Sequence, residues 1–227
     1  MSAISKNTSN GQGLTGKLKI QVIIGSTRQG RFSENPARWI YEEASKRPGL
    51  NVELVDLRDY PLPFFDEPRS PAHLQGKYSD ERVKAWATKV AEADGYIIVA
   101  PEYNHGYPAV LKNALDVLYP EWNNKPVGFV SYGNAGGARS VEQLRLVSVE
   151  LQMAPIKQAI HIPGQVYMAV LKPSDGDTSN PFDTLAWQAT GFLDQLAWWA
   201  TALRVAREQQ EPVKPLVRPA SALVSKS

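Results

Sequence analysis

Eight residues from Pro101 to Pro108 combine side chains that suit a flat ligand. The segment reads Pro-Glu-Tyr-Asn-His-Gly-Tyr-Pro, follows the apolar run Gly95 to Ala100 and precedes a helical pattern. This position is the end of a buried strand, where loops of α/β proteins meet their ligands. The prolines and the glycine predict an open loop whose backbone amides face a planar heterocycle instead of pairing with each other. We call residues 101–108 the heterocycle loop.

A second candidate is the phosphate loop, residues 25–33, between the first predicted strand and the first predicted helix. It reads Gly-Ser-Thr-Arg-Gln-Gly-Arg-Phe-Ser, and its hydroxyl, amide and guanidinium groups can surround a phosphate at a helix N-terminus. It nearly matches a P-loop, but Arg31-Phe32 stands where Lys and a Ser or Thr are required. A monophosphate fits best, with Ser26, Arg28, Arg31 and Ser33 as ligands. The alternative is an ordinary turn with surface arginines.

A third candidate is the glycine loop, residues 131–137, which follows the fourth predicted strand. It reads Ser-Tyr-Gly-Asn-Ala-Gly-Gly. Glycines let the backbone approach a flat ring closely, and the helix behind them offers amides to a ring carbonyl. Alone, such a turn is more often structural than functional. Its place on the same sheet edge as the other loops favours a ligand contact.

The heterocycle loop and its continuation Ala-Val-Leu-Lys-Asn-Ala-Leu-Asp resemble the NAD(P)H-dependent FMN reductase family of the flavodoxin-like superfamily. The resemblance spans roughly Lys17 to Pro163 and includes all three loops. It implies FMN as the cofactor, NADPH or NADH as the donor, and flavin contacts from the second and third loops. The implied contacts are Pro101, Glu102, Tyr103, Asn104 and His105, together with Ser131, Tyr132, Gly133, Gly136 and Gly137.

The resemblance also implies a ping-pong mechanism, in which the nicotinamide gives hydride to flavin N5 and leaves before the acceptor binds. No catalytic side chain is needed, because the flavin does the chemistry. Free flavin, a quinone, an azo compound and a metal oxyanion all remain open as acceptors. Arg28 and Arg31 favour NADPH if they contact its 2′-phosphate, whereas full use of both by FMN removes that preference. His105 is either an acid or a loop histidine oriented by packing.

Alternating strand and helix patterns predict an α/β fold, a flavodoxin-like three-layer sandwich. Its sheet has five parallel strands in the order 2-1-3-4-5, with helices on both faces. Strands are expected at 18–24, 52–57, 96–100, 126–131 and near 156–162. Helices are expected to begin at Asn35-Pro36, Ser79 and Pro108, to follow the glycine loop, and to occupy about 182–207. Residues 17–208 form one FMN-binding domain between a disordered leader, 1–16, and a flexible tail, 209–227.

Composition restricts the partners. The 227 residues have a net charge of only +2, which predicts no nucleic-acid partner, and no apolar run approaches the roughly 18 residues of a membrane span. The absence of a secretory signal predicts a cytoplasmic protein. No cysteine is present, and His73, His105 and His161 are dispersed, so we expect no metal site. The expected partner is a small-molecule acceptor.

Two other functions compete with a reductase. A flavodoxin-like FMN electron carrier would act on protein partners, but such carriers are typically strongly acidic and this chain is not. A phosphate-binding hydrolase lacks a nucleophile, because there is no cysteine and no Asp follows the first strand. The resemblance further implies a homodimer or homotetramer. Residues 60–72 and the tail after Gln209 are candidates for completing a neighbouring subunit's site.

Overall fold

The computed structural model describes residues 16–173, 176 and 178–209. Strands and helices alternate along this part of the chain, as predicted. The predicted leader and tail lie outside the described residues, apart from Gly16 and Gln209.

Five parallel strands form one sheet in the order β2-β1-β3-β4-β5, which confirms the predicted topology. The strands are β1 (Leu18–Ile24), β2 (Leu50–Asp56), β3 (Gly95–Pro101), β4 (Pro126–Tyr132) and β5 (Ala154–Ile162). β3 and β4 are buried along their whole length, which explains their continuous apolar sequences. The chain reverses its direction of travel across the sheet between β1 and β3, so the carboxyl ends of these strands border a crevice.

Helices cover both faces of the sheet. The described residues form α1 (Glu34–Ser45), α2 (Pro71–Leu74), α3 (Glu81–Ala91), α4 (Ala109–Asp116), α5 (Ala138–Glu150), α6 (Gly164–Leu171) and α7 (Ala186–Gln209). α1, α6 and α7 pack on one face, with buried residues such as Ile40, Val166 and Phe192. α3, α4 and α5 pack on the other. The result is the predicted three-layer sandwich.

The first predicted helix begins two residues earlier than expected, since Asn35 was the expected cap and Pro36 the expected first residue. α1 starts at Glu34, and Ser33 occupies the N-cap position without a side-chain hydrogen bond to the helix. The Asn35 amide instead donates to the Phe32 carbonyl at 3.4 Å. Likewise α3 is capped by Asp80, whose carboxylate accepts from the Arg82 amide at 2.7 Å, one residue after the expected Ser79.

The chain after β5 differs most from the prediction. α6 was not predicted, and the expected helix over 182–207 divides into a 3₁₀ turn, Pro181–Leu185, and α7. The Asn180 side chain accepts from the Phe182 amide at 3.1 Å and so starts this turn separately. At its far end α7 is anchored by Arg207, which donates to Asp94 at 2.8 Å. No helix among the described residues is both long and apolar enough to span a bilayer.

Candidate active site

The three candidate loops meet at the carboxyl edge of the sheet, around a cleft of about 850 Å³. That volume lies within the range of about 300–1,000 Å³ typical of small-molecule sites. The cleft is lined by Arg28, Gly30, Arg31, Phe32, Pro101, Glu102, Tyr103, Tyr132, Gly133, Asn134, Gly164, Tyr167, Met168 and Leu171. The sequence therefore predicted the loops that form the cleft, but not the contribution of α6.

Arg31 of the phosphate loop turns inward. Its side chain is only 1% exposed. The guanidinium is hydrogen-bonded to Asp56, to Glu34 at 2.9 Å and to the Ser26 carbonyl at 2.5 Å. These acceptors occupy most of its donors, so Arg31 holds the loop in shape more than it faces the cleft.

Arg58 is a second residue that holds this loop, and the sequence analysis missed it. It follows β2 and donates to the carbonyls of Thr27, at 3.3 Å, and Arg28, at 2.6 Å. Burial opposes ionisation of Asp56, but hydrogen bonds from Arg31 and Arg58 outweigh it and lower the pKa of Asp56. Such a long-range ion pair has no local sequence signal.

Arg28 is the exposed arginine of the phosphate loop. Its guanidinium carbon lies 5.9 Å from the ring centre of Tyr103, a cation–π contact. The Tyr103 hydroxyl is 3.0 Å from the Ser26 hydroxyl, which joins the first loop to the second. The basic side chain is thus positioned at the cleft.

Backbone donors of the phosphate loop fit an anion. Within the described part of the chain, the amides of Thr27, Gln29 and Gly30 have no hydrogen-bond partner. They lie just before the N-terminus of α1, where amides and the helix dipole favour negative charge. Of these residues Gly30 lines the cleft together with Arg28, and this pair suits the phosphate group of FMN.

The heterocycle loop is more closed than predicted. Tyr103 and Gly106 exchange backbone hydrogen bonds of 2.8 and 3.0 Å, and the Glu102 amide donates to the Tyr132 carbonyl at 2.9 Å. Asn104 and His105 between them have φ values of +51° and +68°, as in a type I′ turn. The expectation of unpaired amides at Glu102, Tyr103 and Gly106 is therefore wrong. The tight turn is favoured over the open loop because the amide and carbonyl groups of Tyr103 and Gly106 form hydrogen bonds with each other.

This turn decides which predicted residues reach the cleft. Pro101, Glu102 and Tyr103 line it, whereas Asn104 and His105 are exposed at the tip and lie outside the lining. The Glu102 carboxylate is paired with Arg139 of α5. The ion pair fixes Glu102 against the glycine loop.

The glycine loop divides in the same way. Tyr132 and Gly133 line the cleft, and so does Asn134, which was not predicted. Gly136 and Gly137 lie behind them with positive φ, and an added Cβ would meet His161 at 3.0 Å or Ser131 at 2.6 Å. The Ser131 hydroxyl donates to the Gly136 carbonyl at 2.8 Å. Ser131, Gly136 and Gly137 therefore shape the loop from behind.

Aromatic rings lie at the base of the cleft. Phe32 is 4.9 Å from Tyr132 and 4.4 Å from Tyr167, measured between ring centres. The Tyr132 hydroxyl shares a 2.6 Å hydrogen bond with Ser33, which is fully buried and outside the lining. Burial raises the pKa of Tyr132 above its ordinary value, so this hydroxyl stays neutral at physiological pH.

Metal ligands are not gathered at this edge or elsewhere in the described residues. No group of three or more His, Asp or Glu side chains there is arranged to hold an ion. Of the three histidines, His161 lies beside Ser131, at 3.0 Å, His105 is at the turn tip and His73 is on α2.

Comparison with known proteins identifies the family. The model of the NADPH-dependent FMN reductase family matches residues 18–166. An NAD(P)H-dependent FMN reductase of Schizosaccharomyces pombe is 43% identical over 159 residues, which cover 69% of this chain and 80% of that protein. A quinone reductase of Escherichia coli K12 is 33% identical over 184 residues, 78% and 94% of the two chains.

Solved structures show the same fold. The flavoenzyme FerB of Paracoccus denitrificans, an NAD(P)H:(acceptor) oxidoreductase, superposes with a TM-score of 0.62 at 22% identity. The superposition covers 82% of this chain and 98% of FerB. The chain therefore belongs to the NADPH-dependent FMN reductase family, which confirms the predicted oxidoreductase class and its cofactors, FMN and NAD(P)H.

Proposed function

We propose that the chain binds FMN in the 850 Å³ cleft and uses NAD(P)H to reduce quinone-type small molecules. The observation that supports this most is the meeting of all three loops around one cleft. Relatives named quinone reductase support the acceptor class. When bound, FMN supplies the hydride-transfer chemistry.

The residues of the cleft then have separate tasks. Arg28 and the free amides of the phosphate loop bind the phosphate, while Arg31 and Arg58 hold that loop. Pro101, Glu102 and Tyr103 face the ring from one side, and Tyr132 and Gly133 from the other. The remaining predicted residues of these loops lie outside the lining and support the loops from there. They are Ser33, Asn104, His105, Ser131, Gly136 and Gly137.

A ping-pong sequence is part of the proposal. The loops that follow the strands, including the phosphate loop, have no dinucleotide fingerprint of the Gly-x-Gly-x-x-Gly type; the matching run at residues 11–16, Gly-Gln-Gly-Leu-Thr-Gly, comes before β1 and does not follow a strand. We therefore propose that the donor has no separate nucleotide site of that kind. Donor and acceptor are proposed to occupy the same cleft in turn. Initial-rate measurements should give parallel double-reciprocal lines, and intersecting lines would contradict a shared site.

The donor preference depends on one arginine. Arg31 is committed to Asp56 and Glu34, so Arg28, which is assigned to the FMN phosphate, would have to serve the 2′-phosphate of the donor as well. We therefore propose only a modest preference for NADPH over NADH. The ratio of kcat/KM for the two donors measures it. A ratio of kcat/KM near one would mean that Arg28 contacts only the FMN phosphate and not the donor.

A spectroscopic experiment tests the central proposal. The purified protein is loaded with FMN, freed of unbound flavin, and mixed with NADPH without oxygen. Bleaching of the visible flavin band, followed by its return when a quinone is added, is expected. Absence of bound flavin would overturn the cleft assignment, and binding without bleaching would favour the electron-carrier alternative.

Assembly and location complete the proposal. Apolar side chains are exposed at Leu146, Trp187 and Phe64, the last within the segment 60–72 and 81% exposed. Such side chains favour a homodimer or homotetramer. Light scattering of the intact protein measures the mass, and a monomer at micromolar concentration would refute this.

We propose a cytoplasmic location, which cell fractionation checks.

A further inference from the structure

α6 forms a wall of the cleft that none of the three loops supplies. Its cleft-lining residues are spaced i, i+3, i+4 and i+7, so they share one face of the helix. These residues are Gly164, Tyr167, Met168 and Leu171. The opposite face, with Val166 and Val170, packs in the core. α6 thus presents one complete face, which we call the α6 face, to the cleft.

The α6 face is apolar and open. Met168 and Leu171 are each 48% exposed, and α6 contains no charged residue. Accessible apolar side chains in a cleft wall are what small-molecule sites use to contact the flat, apolar part of a ligand. Methionine suits this role because its unbranched side chain adapts to different ligand shapes.

Aromatic contacts fix the α6 face relative to the phosphate loop. The Tyr167 ring lies 4.4 Å from Phe32, which belongs to that loop, and 6.1 Å from Tyr132. Phe182, just before α7, packs 6.4 Å from Phe32 on the same side of the sheet. A wall held in this way keeps Met168 and Leu171 in place for a ligand.

Most of the α6 face lies beyond the part of the chain that the family model matches. The match ends at residue 166, so Tyr167, Met168 and Leu171 fall outside it. All three loops fall inside it. The family model therefore describes the loops and leaves most of the α6 face undefined.

We propose that the α6 face selects the electron acceptor, and that it favours quinones with apolar ring substituents over small unsubstituted ones. This inference rests on the proposed function. The reaction is NAD(P)H plus quinone plus a proton giving NAD(P)⁺ and the hydroquinone, so hydride equivalent and proton are both accounted for. The α6 face contacts the substituents and takes no part in the transfer.

Placing a charge on the α6 face tests the proposal. In the FMN-loaded full-length protein, Met168→Glu should lower the ratio of kcat/KM for 2-methyl-1,4-naphthoquinone to that for 1,4-benzoquinone by about tenfold, the scale of a lost apolar contact. Both acceptors are neutral, so general electrostatic effects cancel in the ratio. Gln165→Glu is the matched control, because Gln165 is exposed on the same helix but outside the cleft lining. Met168→Leu should keep the wild-type ratio.

Direct binding gives a readout that does not depend on turnover. Equilibrium dialysis of the oxidised, FMN-loaded protein against 2-methyl-1,4-naphthoquinone should show about tenfold weaker binding to Met168→Glu than to Gln165→Glu. An unchanged ratio and affinity would overturn the proposal. So would a lower molecular mass of Met168→Glu in light scattering, since the α6 face would then be a contact between copies. A wild-type protein that reduces neither quinone would instead refute the proposed function itself.

Discussion

At the scale of single residues, burial decides what the two arginines of the phosphate loop do. Arg31 is enclosed by Asp56, Glu34 and a carbonyl, so it shapes the loop. Arg28 is exposed beside Tyr103 and is available to a ligand. The sequence predicted both as phosphate ligands because residue type alone does not show which neighbour a side chain meets.

Arg28→Ala should weaken FMN binding. The exposed guanidinium is a donor to the phosphate in the proposed complex, and a hydrogen bond to a charged group contributes about 1.5–3 kcal/mol. Titration of the apoprotein with FMN, followed by flavin fluorescence, measures the affinity. Arg38→Ala is the control, since Arg38 is an exposed arginine on α1 that does not line the cleft. Equal affinities of the two variants would remove Arg28 from the site.

Asp56→Asn should destabilise the protein in a pH-dependent way. The pKa of Asp56 is lowered from 3.8 in the folded state, so the native state favours the carboxylate. This stabilisation is present above the unfolded pKa and is lost as pH falls through the lower folded pKa. The difference in unfolding free energy between wild type and Asp56→Asn should be about 1.5–3 kcal/mol near pH 6 and shrink below pH 3.8. Urea unfolding measures it, and a constant difference from pH 3 to 7 would contradict the ion-pair account.

At the scale of elements, the spacing of apolar residues predicted the strands and most helices. This is because an element buried on one or both faces has apolar residues at the buried positions. α6 was not predicted because Pro163 and Gly164 suggest a loop after β5, although apolar residues recur at Val166 and Val170. The turn in the heterocycle loop was not predicted because Asn104-His105 can form either an open loop or a type I′ turn. Only pairing between Tyr103 and Gly106 distinguishes the two.

The glycine loop shows why a predicted contact residue needs its packing partners. From the sequence alone, Gly136→Val would block a flat ring. In the structure Gly136 has a φ of +63° and faces His161, so a valine there would strain the backbone and displace His161 first. Loss of flavin in such a variant would report a deformed loop.

Gly128→Ala should loosen α7 from the sheet. An added Cβ on this β4 residue would overlap the ring of Phe192 on α7, which is buried. Overpacking of a filled core costs about 1–3 kcal/mol. Gly49→Ala is the control, because a Cβ there meets nothing within 4 Å, and its effect should stay within about 0.5 kcal/mol. Equal unfolding free energies for the two variants would contradict close packing of α7 on β4.

At the scale of the whole molecule, ligand binding and stability are linked because the cleft is lined by residues of the phosphate loop, β3, β4 and α6 and of the loops that follow these strands. Unfolding separates these elements, so only the folded chain can bind FMN with all three loops. The cleft also requires β1, β3 and β4 to be paired in the sheet, since its three loops follow these adjacent strands.

FMN should therefore raise the thermal stability of the apoprotein. At a free concentration one hundred times its Kd, it should raise the unfolding free energy by about 2.7 kcal/mol. For a domain of this size that corresponds to an increase in melting temperature of roughly 5–10 °C. Thermal melts with and without FMN measure the shift, and riboflavin, which lacks the phosphate, should give a smaller one. Equal shifts would argue against a phosphate contact.

The order in which the chain is made gives the network around Arg31 a further consequence. Arg31, Asp56 and Arg58 all lie within the first 58 residues, so the ion-pair network that holds the phosphate loop is synthesised before its contacts with Val99 and Tyr103. Leu171, on the α6 face, emerges from the ribosome roughly 5–25 s later at usual elongation rates. During that interval the nascent chain contains the residues that bind the phosphate but lacks part of the cleft wall, so we expect full capture of the cofactor to await the synthesis of α6.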